Sequence, residues 1–309
     1  MSGSNRVPMR RRAEGIRVQE LRNVLAATDL SAASKQGAVR AARIASAHGA
    51  RLTLLHVVEQ DWIVAARSVA SGRDFQAAVE EQCRIQLSVL ADELAGEVGI
   101  RAEPVLRTGS PVQQLRQAAE GADLVVVAAG GASHPLRDAT LGSTAARLAR
   151  LATRPILVVR TAAQDHYRRV LVATDFSEAS PDGLRAAMRL APEAAMELVH
   201  CFELAYEGRL RLAGAADADL ERYRNQSRAV AEREARELLQ RAQAPAGARV
   251  SVRQGDARFE LLSAAKEHRA DLLVVGKQGR SFLADTLLGS VSSWLLAEAP
   301  CDVLVVPPR

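Results

Sequence analysis

The chain repeats itself. Val24-Leu25-Ala26-Ala27-Thr28-Asp29-Leu30-Ser31 returns as Val170-Leu171-Val172-Ala173-Thr174-Asp175-Phe176-Ser177. Asp29 and Asp175 stand 146 positions apart, as do Gly109 and Gly255. His56 and His200 are separated by 144, Asp123 and Asp271 by 148, and Gly142 and Gly289 by 147. Five landmarks in one order at nearly one offset mark a tandem duplication, so any fold assigned to one half must also serve the other. The division expected is a basic tail over 1–20, a first repeat over 21–160, a linker over 161–167 and a second repeat over 168–309.

Within each repeat, short apolar runs alternate with helical patterns. Val24–Thr28, Arg51–Val58, Arg101–Arg107, Asp123–Ala129 and Pro155–Val159 read as strands. Ser31–Ala47, Phe75–Glu97 and the stretches opening at Gly109-Ser110-Pro111 and Gly142-Ser143 read as helices, with Ser31 or Ser34 as N-cap. Strand–helix alternation implies a parallel sheet with right-handed crossovers. The expected fold is α/β: two open, twisted, five-stranded parallel sheets of Rossmann-like type. Aromatic residues make up only 3% of the chain against 48% hydrophobic. Ala, Leu and Val therefore build the cores, which suits close helix-on-sheet packing. The closing strands Pro155–Val159 and Pro300–Val306 are short and apolar, an edge that proteins cover.

In open α/β sheets ligands sit beyond the carboxyl ends of the strands. Asp175 and Gly276 both fall there. The stretch Asp271–Gly276 reads as a strand buried on both faces, followed by glycines at 276 and 279, a nine-residue loop, then Gly289-Ser290 opening a helix over Val291–Ala297. Glycine permits positive φ and close approach to the backbone. A helix start offers unpaired N–H groups and a favourable dipole to phosphate oxygens. Ser290, Ser292 and Ser293 supply hydroxyls, and Lys277 and Arg280 supply charge. Asp175 repels phosphate, so a ribose hydroxyl, a base or a metal-bound water suits it better. The competing readings are a ligand-free strand-to-helix turn for the glycines, a helix cap for Asp175, and an ordinary exposed lysine at 277.

These residues resemble the universal stress protein family, tandem type. The resemblance rests on Gly276-x2-Gly279-x9-Gly289-Ser290, the Thr174-Asp175-Phe176-Ser177 opening, the Leu198-Val199-His200 strand and the closing Pro300–Val306 run. It covers roughly residues 21–309. It implies an adenine nucleotide alpha hydrolase-like fold and a bound adenine nucleotide, ATP or AMP, with or without Mg²⁺. Base or ribose contact would fall to Asp175 and base contact to the backbone of Cys201; Thr174 and Val275, beside Asp175 and Gly276 in the chain, complete the candidate set. Phosphate contacts would fall to Gly276, Gly279, Gly289, Ser290 and Val291; Lys277, Arg280 and Ser292 join the candidate set for the charge and hydroxyl they supply. It further implies a pseudo-dimer formed by the two repeats within one chain; whether that unit forms a homodimer stays open.

Repeat 1 departs from the pattern. Ala128 stands where Gly276 does, and ten residues rather than nine separate Gly131 from Gly142. Ala129 and Ala132 replace Lys277 and Arg280, and Ala145 and Ala146 replace Ser292 and Ser293. One strong site in repeat 2 and a weak or empty one in repeat 1 are expected.

Other chemistry finds no support. There is no Gly-x4-Gly-Lys-Ser/Thr loop, no Gly-x-Gly-x-x-Gly after the first strand and no Gly-x-Ser-x-Gly elbow. No catalytic residue and no metal ligand set is assigned. His56 and His200 read as packing or hydrogen-bonding histidines, and Cys201 and Cys301 as buried thiols. The three scattered cysteines point to a reducing, cytoplasmic setting. The polar, basic Met1–Arg22 stretch lacks the apolar segment of a signal peptide, and no apolar run reaches the roughly 20 residues of a membrane span. Of the net charge of +5, most sits in that stretch, which holds six arginines against two glutamates, so a nucleic-acid-binding fold is not expected. The tail reads as solvated, with a polyanion- or membrane-touching arm as the sharper alternative. Three functions remain: a nucleotide-binding stress-response or signalling module with a protein partner, a nucleotide-independent scaffold, and a weak ATPase.

Overall fold

The computed structural model describes residues 20–60, 75–130, 143–162, 166–204, 207–279 and 288–308. Repeat 1 contributes β1 (Asn23–Thr28), α1 (Ala32–His48), β2 (Arg51–Glu59), α2 (Phe75–Val98), β3 (Ala102–Gly109), α3 (Pro111–Ala119), β4 (Leu124–Ala128), α4 (Ser143–Leu151) and β5 (Ile156–Val159). Repeat 2 contributes β6 (Arg169–Thr174), α5 (Ser180–Leu190), β7 (Ala195–Phe202), α6 (Glu207–Leu212), α7 (Asp217–Arg241), β8 (Arg249–Gln254), α8 (Ala257–Glu267), β9 (Leu272–Gly276), α9 (Ser290–Glu298) and β10 (Asp302–Val306).

All ten strands form one sheet in the order β3-β2-β1-β4-β5-β10-β9-β6-β7-β8. Each half is parallel throughout. The halves meet where β5 and β10 pair antiparallel, Leu157 opposite Leu304. The two closing strands thus cover one another, as the pseudo-dimer expectation requires. The edges left over are β3, with exposed Pro104 in mid-strand, and β8, with Arg249 and Arg253. Proline and charge both discourage pairing with a further strand.

The central strands bury both faces, so their side chains alternate between two cores. Val24, Val126, Leu157, Val172, Val274 and Leu304 join one core, under α1, α2, α5 and α7. Leu25, Val125, Val158, Leu171, Val275 and Val305 join the other, under α3, α4, α8 and α9. Each core runs across both repeats. The halves are therefore fused through two continuous apolar layers as well as through the β5–β10 ladder.

Repeated polar devices set the register. Asp123 accepts from the N–H groups of Arg22 and Asn23 at 2.8 and 3.0 Å, and Asp271 does the same for Arg168 and Arg169 at the same distances. Gly109, the last residue of β3, and Gly255, just after β8, have φ 132° and 141°, where a side chain would be strained.

A third device has no counterpart in the other half. Asp302, fully buried at the start of β10, accepts from the N–H groups of Arg160 and Thr161, from Thr161 Oγ1 at 3.0 Å and from Tyr167 Oη at 2.7 Å. Arg40, on α1 of repeat 1, stacks over the Tyr167 ring. Burial and the neighbouring Asp302 push the Tyr167 phenol well above its ordinary value, so it stays a donor. Among the described residues no helix is long and apolar enough to cross a membrane.

Candidate functional site

The site in repeat 2 grows from two strand ends. β6 stops at buried Thr174, whose Oγ1 accepts from the N–H of Phe176 at 3.0 Å. That bond holds Phe176 at φ 58°, a left-handed conformation rare for a bulky side chain. His200 supports the turn twice. Its Nδ1 donates to the Thr174 carbonyl at 2.9 Å, and its ring stacks on Phe176 with centroids 4.2 Å apart. The sister turn is the same: Leu30 has φ 65°, its N–H bonds Thr28 Oγ1, and His56 Nδ1 donates to the Thr28 carbonyl. Both histidines are hydrogen-bonding supports, as expected from sequence.

The turn aims Asp175 at the second strand end. Asp175 Oδ1 accepts from Ser177 N–H at 3.0 Å and Ser180 Oγ at 3.1 Å. It braces the chain ahead of α5 but does not cap that helix, whose N-cap position is Ala179. Its Oδ2 faces Gly279. A Cβ on Gly279 would lie 3.0 Å from that oxygen, and one on Gly276 would lie 3.1 Å from the Gln278 carbonyl. Neither glycine has a left-handed φ. The sequence-based expectation of positive φ is corrected here: close approach, and not φ, requires these glycines. The left-handed residue of the site is Phe176, which no composition rule singles out.

β9 ends at Gly276, opposite Val306 of β10. Lys277 N–H then bonds the Val306 carbonyl at 2.8 Å, and the Lys277 carbonyl accepts from Gly289 N–H at 2.9 Å. The loop thus leaves at Gly279 and returns at Gly289 within one hydrogen bond of its start. From Gly289, α9 begins without a side-chain cap, which leaves the N–H groups of its first turn without intrahelical acceptors. Between the β6–α5 turn and the exits of β9 and β10 lies a cleft of about 400 Å³. The β6–α5 turn contributes Phe176, Ser177, Glu178 and Ala179 to its lining, the β9 exit contributes Lys277, Gln278 and Gly279, and the β10 exit contributes Val306 and Pro308.

Several expected roles change. Lys277 is only 5% exposed, and its ammonium donates to the Ala152 carbonyl of repeat 1 at 3.2 Å. It is neither an ordinary exposed lysine nor a cation reaching outward, because the β9–β10 ladder turns its side chain inward. Ser292 is buried and its hydroxyl is committed to the Gly276 carbonyl at 2.6 Å, so it braces the loop instead of extending the hydroxyl supply. Val275 lies in the core at 2% exposure and offers the cleft only backbone. Ser290 is exposed and Val291 half-buried at the helix start. Cys201, in β7, is half-buried, and burial pushes its thiol up to about 12; the same cause takes buried Cys301 to about 12. Neither is a nucleophile at neutral pH. Arg280, Gly131, Ala132 and Gly142 lie outside the described residues.

In repeat 1, α1 comes close to the end of β4. A Cβ on Gly37 of α1 would stand 3.3 Å from the Ala128 N atom, and one on Gly130 would touch Ala33 Cβ at 3.5 Å. Their counterparts in repeat 2 are open: Gly183 approaches only Val172, and Gln278 and Ala179 both line the cleft. Asp29 Oδ1 is taken by the N–H and hydroxyl of Ser31. Of the expected site residues that are described, only Lys277 and Gly279 line the cleft; sequence reasoning missed the Phe176–Ala179 turn, Gln278, Val306 and Pro308. Only register could have flagged Val306, since it pairs with Gly276.

Two parallel α/β repeats joined through their last strands, with a rim cleft in the second, define a tandem α/β protein of the doubly wound class. Residues 20–160 and 166–307 each match the model of the Universal stress protein family. The chain belongs to that family. It is 32% identical over 297 residues to a universal stress protein of Mycolicibacterium smegmatis, covering 93% of this chain and 97% of that protein. Universal stress protein YxiE of Bacillus subtilis is 31% identical over 147 residues, 45% of this chain and 99% of its own length, as a one-repeat relative would be. Among solved structures, a universal stress protein from Archaeoglobus fulgidus superposes with TM-score 0.68 at 19% identity, covering 94% of this chain and 97% of that one. A protein of unknown function from Pseudomonas aeruginosa PAO1 gives TM-score 0.61 at 22% identity, with 94% of each chain covered. At these identities the two structures bear on the fold alone.

Proposed function

We propose that the chain binds an adenine nucleotide, ATP or AMP, in the cleft of repeat 2 and acts as a cytoplasmic stress-response or signalling module whose occupancy alters its surface for a protein partner. The observation that carries this reading is a cleft of about 400 Å³ at the rim of repeat 2, bordered by Gly279, to which Asp175 Oδ2 makes a close approach. That volume lies within the range of small-molecule sites. Asp175 offers an acceptor to a ribose hydroxyl or the base, with Thr174 and the backbone of Val275 and Cys201 behind it. The backbone of Gly276 and Gly279 and the first turn of α9, at Gly289, Ser290 and Val291, offer donors to phosphate. Arg280 extends the charge of the loop, while Lys277 and Ser292 hold its frame. Mg²⁺, where present, rides on the phosphates. The close approach of α1 at Ala128 and Gly130 supports a weak or empty repeat 1.

The test is direct. Protein purified from cells is denatured and the released small molecules are identified by mass, and stripped protein is titrated calorimetrically with ATP and with AMP. Released adenine nucleotide, or heat with either ligand, supports the reading. No release and no heat would leave the nucleotide-independent scaffold.

A further inference from the structure

Lys277 belongs to the glycine loop of repeat 2, yet its side chain ends in repeat 1. Its backbone clasps two elements of its own repeat, β10 through Val306 and the start of α9 through Gly289. Its ammonium reaches the Ala152 carbonyl, one residue beyond α4. A helix C-terminus carries unpaired carbonyls and a negative dipole end, so a buried cation is well placed there. At 5% exposure the ammonium has lost nearly all water, and an acceptor must replace it. Ala129, its counterpart, makes the equivalent backbone bond to Val159 at 2.8 Å but has no side chain to cross the junction. Repeat 1 returns a cation by another route. Arg160, just after β5, donates to the carbonyls of Leu296 and Ala297 near the end of α9 at 2.7 and 2.9 Å. Each repeat therefore lends a cation to the last helix of the other, but only the one from repeat 2 comes from the ligand loop itself.

We infer that Lys277 is a positioning residue through which helix α4 of repeat 1 steadies the glycine loop of repeat 2, making the first repeat a regulator of nucleotide affinity in the second. The inference rests on the nucleotide reading above. Any change that moves the C-terminal end of α4 moves the Lys277 ammonium, and through the Lys277 backbone the spacing of Gly276 and Gly289. The coupling is reciprocal, so nucleotide in repeat 2 quiets the end of α4.

Hydrogen exchange and calorimetry on the full chain test this together. In wild-type protein, ATP is expected to slow exchange in the peptide containing Ala149–Ala152. In Lys277→Met, that peptide exchanges faster without ligand, ATP no longer protects it, and ATP binds roughly tenfold more weakly, within the usual range of coupling between sites. Lys277→Arg, which keeps the cation, retains most of the protection. Should Lys277→Met fail to fold, Lys277→Gln, too short to reach Ala152, makes the same test. Weaker binding with unchanged exchange at Ala149–Ala152 overturns the inference, because Lys277 would then act only by touching ligand. If wild-type protein binds neither ATP nor AMP, the nucleotide reading and the affinity role fail together, while faster exchange of that peptide in ligand-free Lys277→Met still establishes the tether.

Discussion

Arg40 and Asp302 meet across the junction of the two repeats, Nε 3.2 Å from Oδ2, with both side chains buried. The two residues come from opposite halves, one from α1 and one from β10. Removing Asp302 leaves the buried Arg40 guanidinium without this counter-charge, which costs roughly 3–5 kcal/mol for a buried pair. Asp302→Ala is expected to lower stability by that order, since it also orphans Tyr167 Oη and Thr161 Oγ1. Arg40→Met should cost less, because Asp302 keeps its four hydrogen-bond donors. Urea unfolding of the three proteins gives the order.

Gly279→Ala places a methyl 3.0 Å from Asp175 Oδ2 and must displace that carboxylate. Nucleotide affinity is expected to fall at least about tenfold, with stability changed by no more than about 1 kcal/mol. Gly276→Val should abolish binding, whereas Ala128→Val should leave it intact. Equal losses at 276 and 128 would defeat the asymmetry between repeats.

His48 lies at the end of α1 with Nε2 3.4 Å from the Leu190 carbonyl of repeat 2. Burial, the largest cause, holds it below its ordinary 6.5; the Leu190 bond opposes that, Arg189 adds to it, Glu20 opposes it and His166 adds to it. With the folded value depressed, the unfolded chain takes up the proton first as pH falls. Stability should therefore drop as pH falls below 6.5 and level off below the folded value. His48→Gln should flatten this slope, as read from unfolding midpoints between about pH 8 and about pH 5.

Cys201 and Cys301, with thiols at about 12, should resist a thiol reagent in the native protein at neutral pH. Cys83 is half-buried and only modestly raised by burial and Glu80, so it should react first. Denaturation should release all three. Mass mapping of the labelled peptides gives the order.

The repeat made the sheet legible. Once Val24–Asp29 and Val170–Asp175 are aligned, a parallel sheet in each half and mutual covering of the closing strands follow from rules on parallel sheets and covered edges, whereas the strand order does not. Spacing alone put Asp175 and the β9 glycines on one rim, and the fold brings Asp175 Oδ2 against Gly279. It was not legible where tertiary contacts decide the role. Lys277 reads as a loop cation until β10 fixes its direction, and Ser292 reads as a free hydroxyl until the Gly276 carbonyl comes within 2.6 Å. Phe176 adopts a left-handed φ because Thr174 and His200 hold it there, against its own preference. The Arg40–Asp302 pair leaves no trace in the repeat, since register puts Pro155 and Ala186 at the matching positions.

The antiparallel junction also imposes an order of events on synthesis. β5 leaves the ribosome long before β10, its only partner on that side. Until Asp302–Val306 arrives, a nascent first half carries a bare apolar strand, Ile156–Val159, that any similar strand can pair with. Two such nascent chains would find in each other the partner that each finished chain finds in itself. A stall or truncation between the halves is thus a route to mispaired dimers, and completion of β10 is the step that closes it.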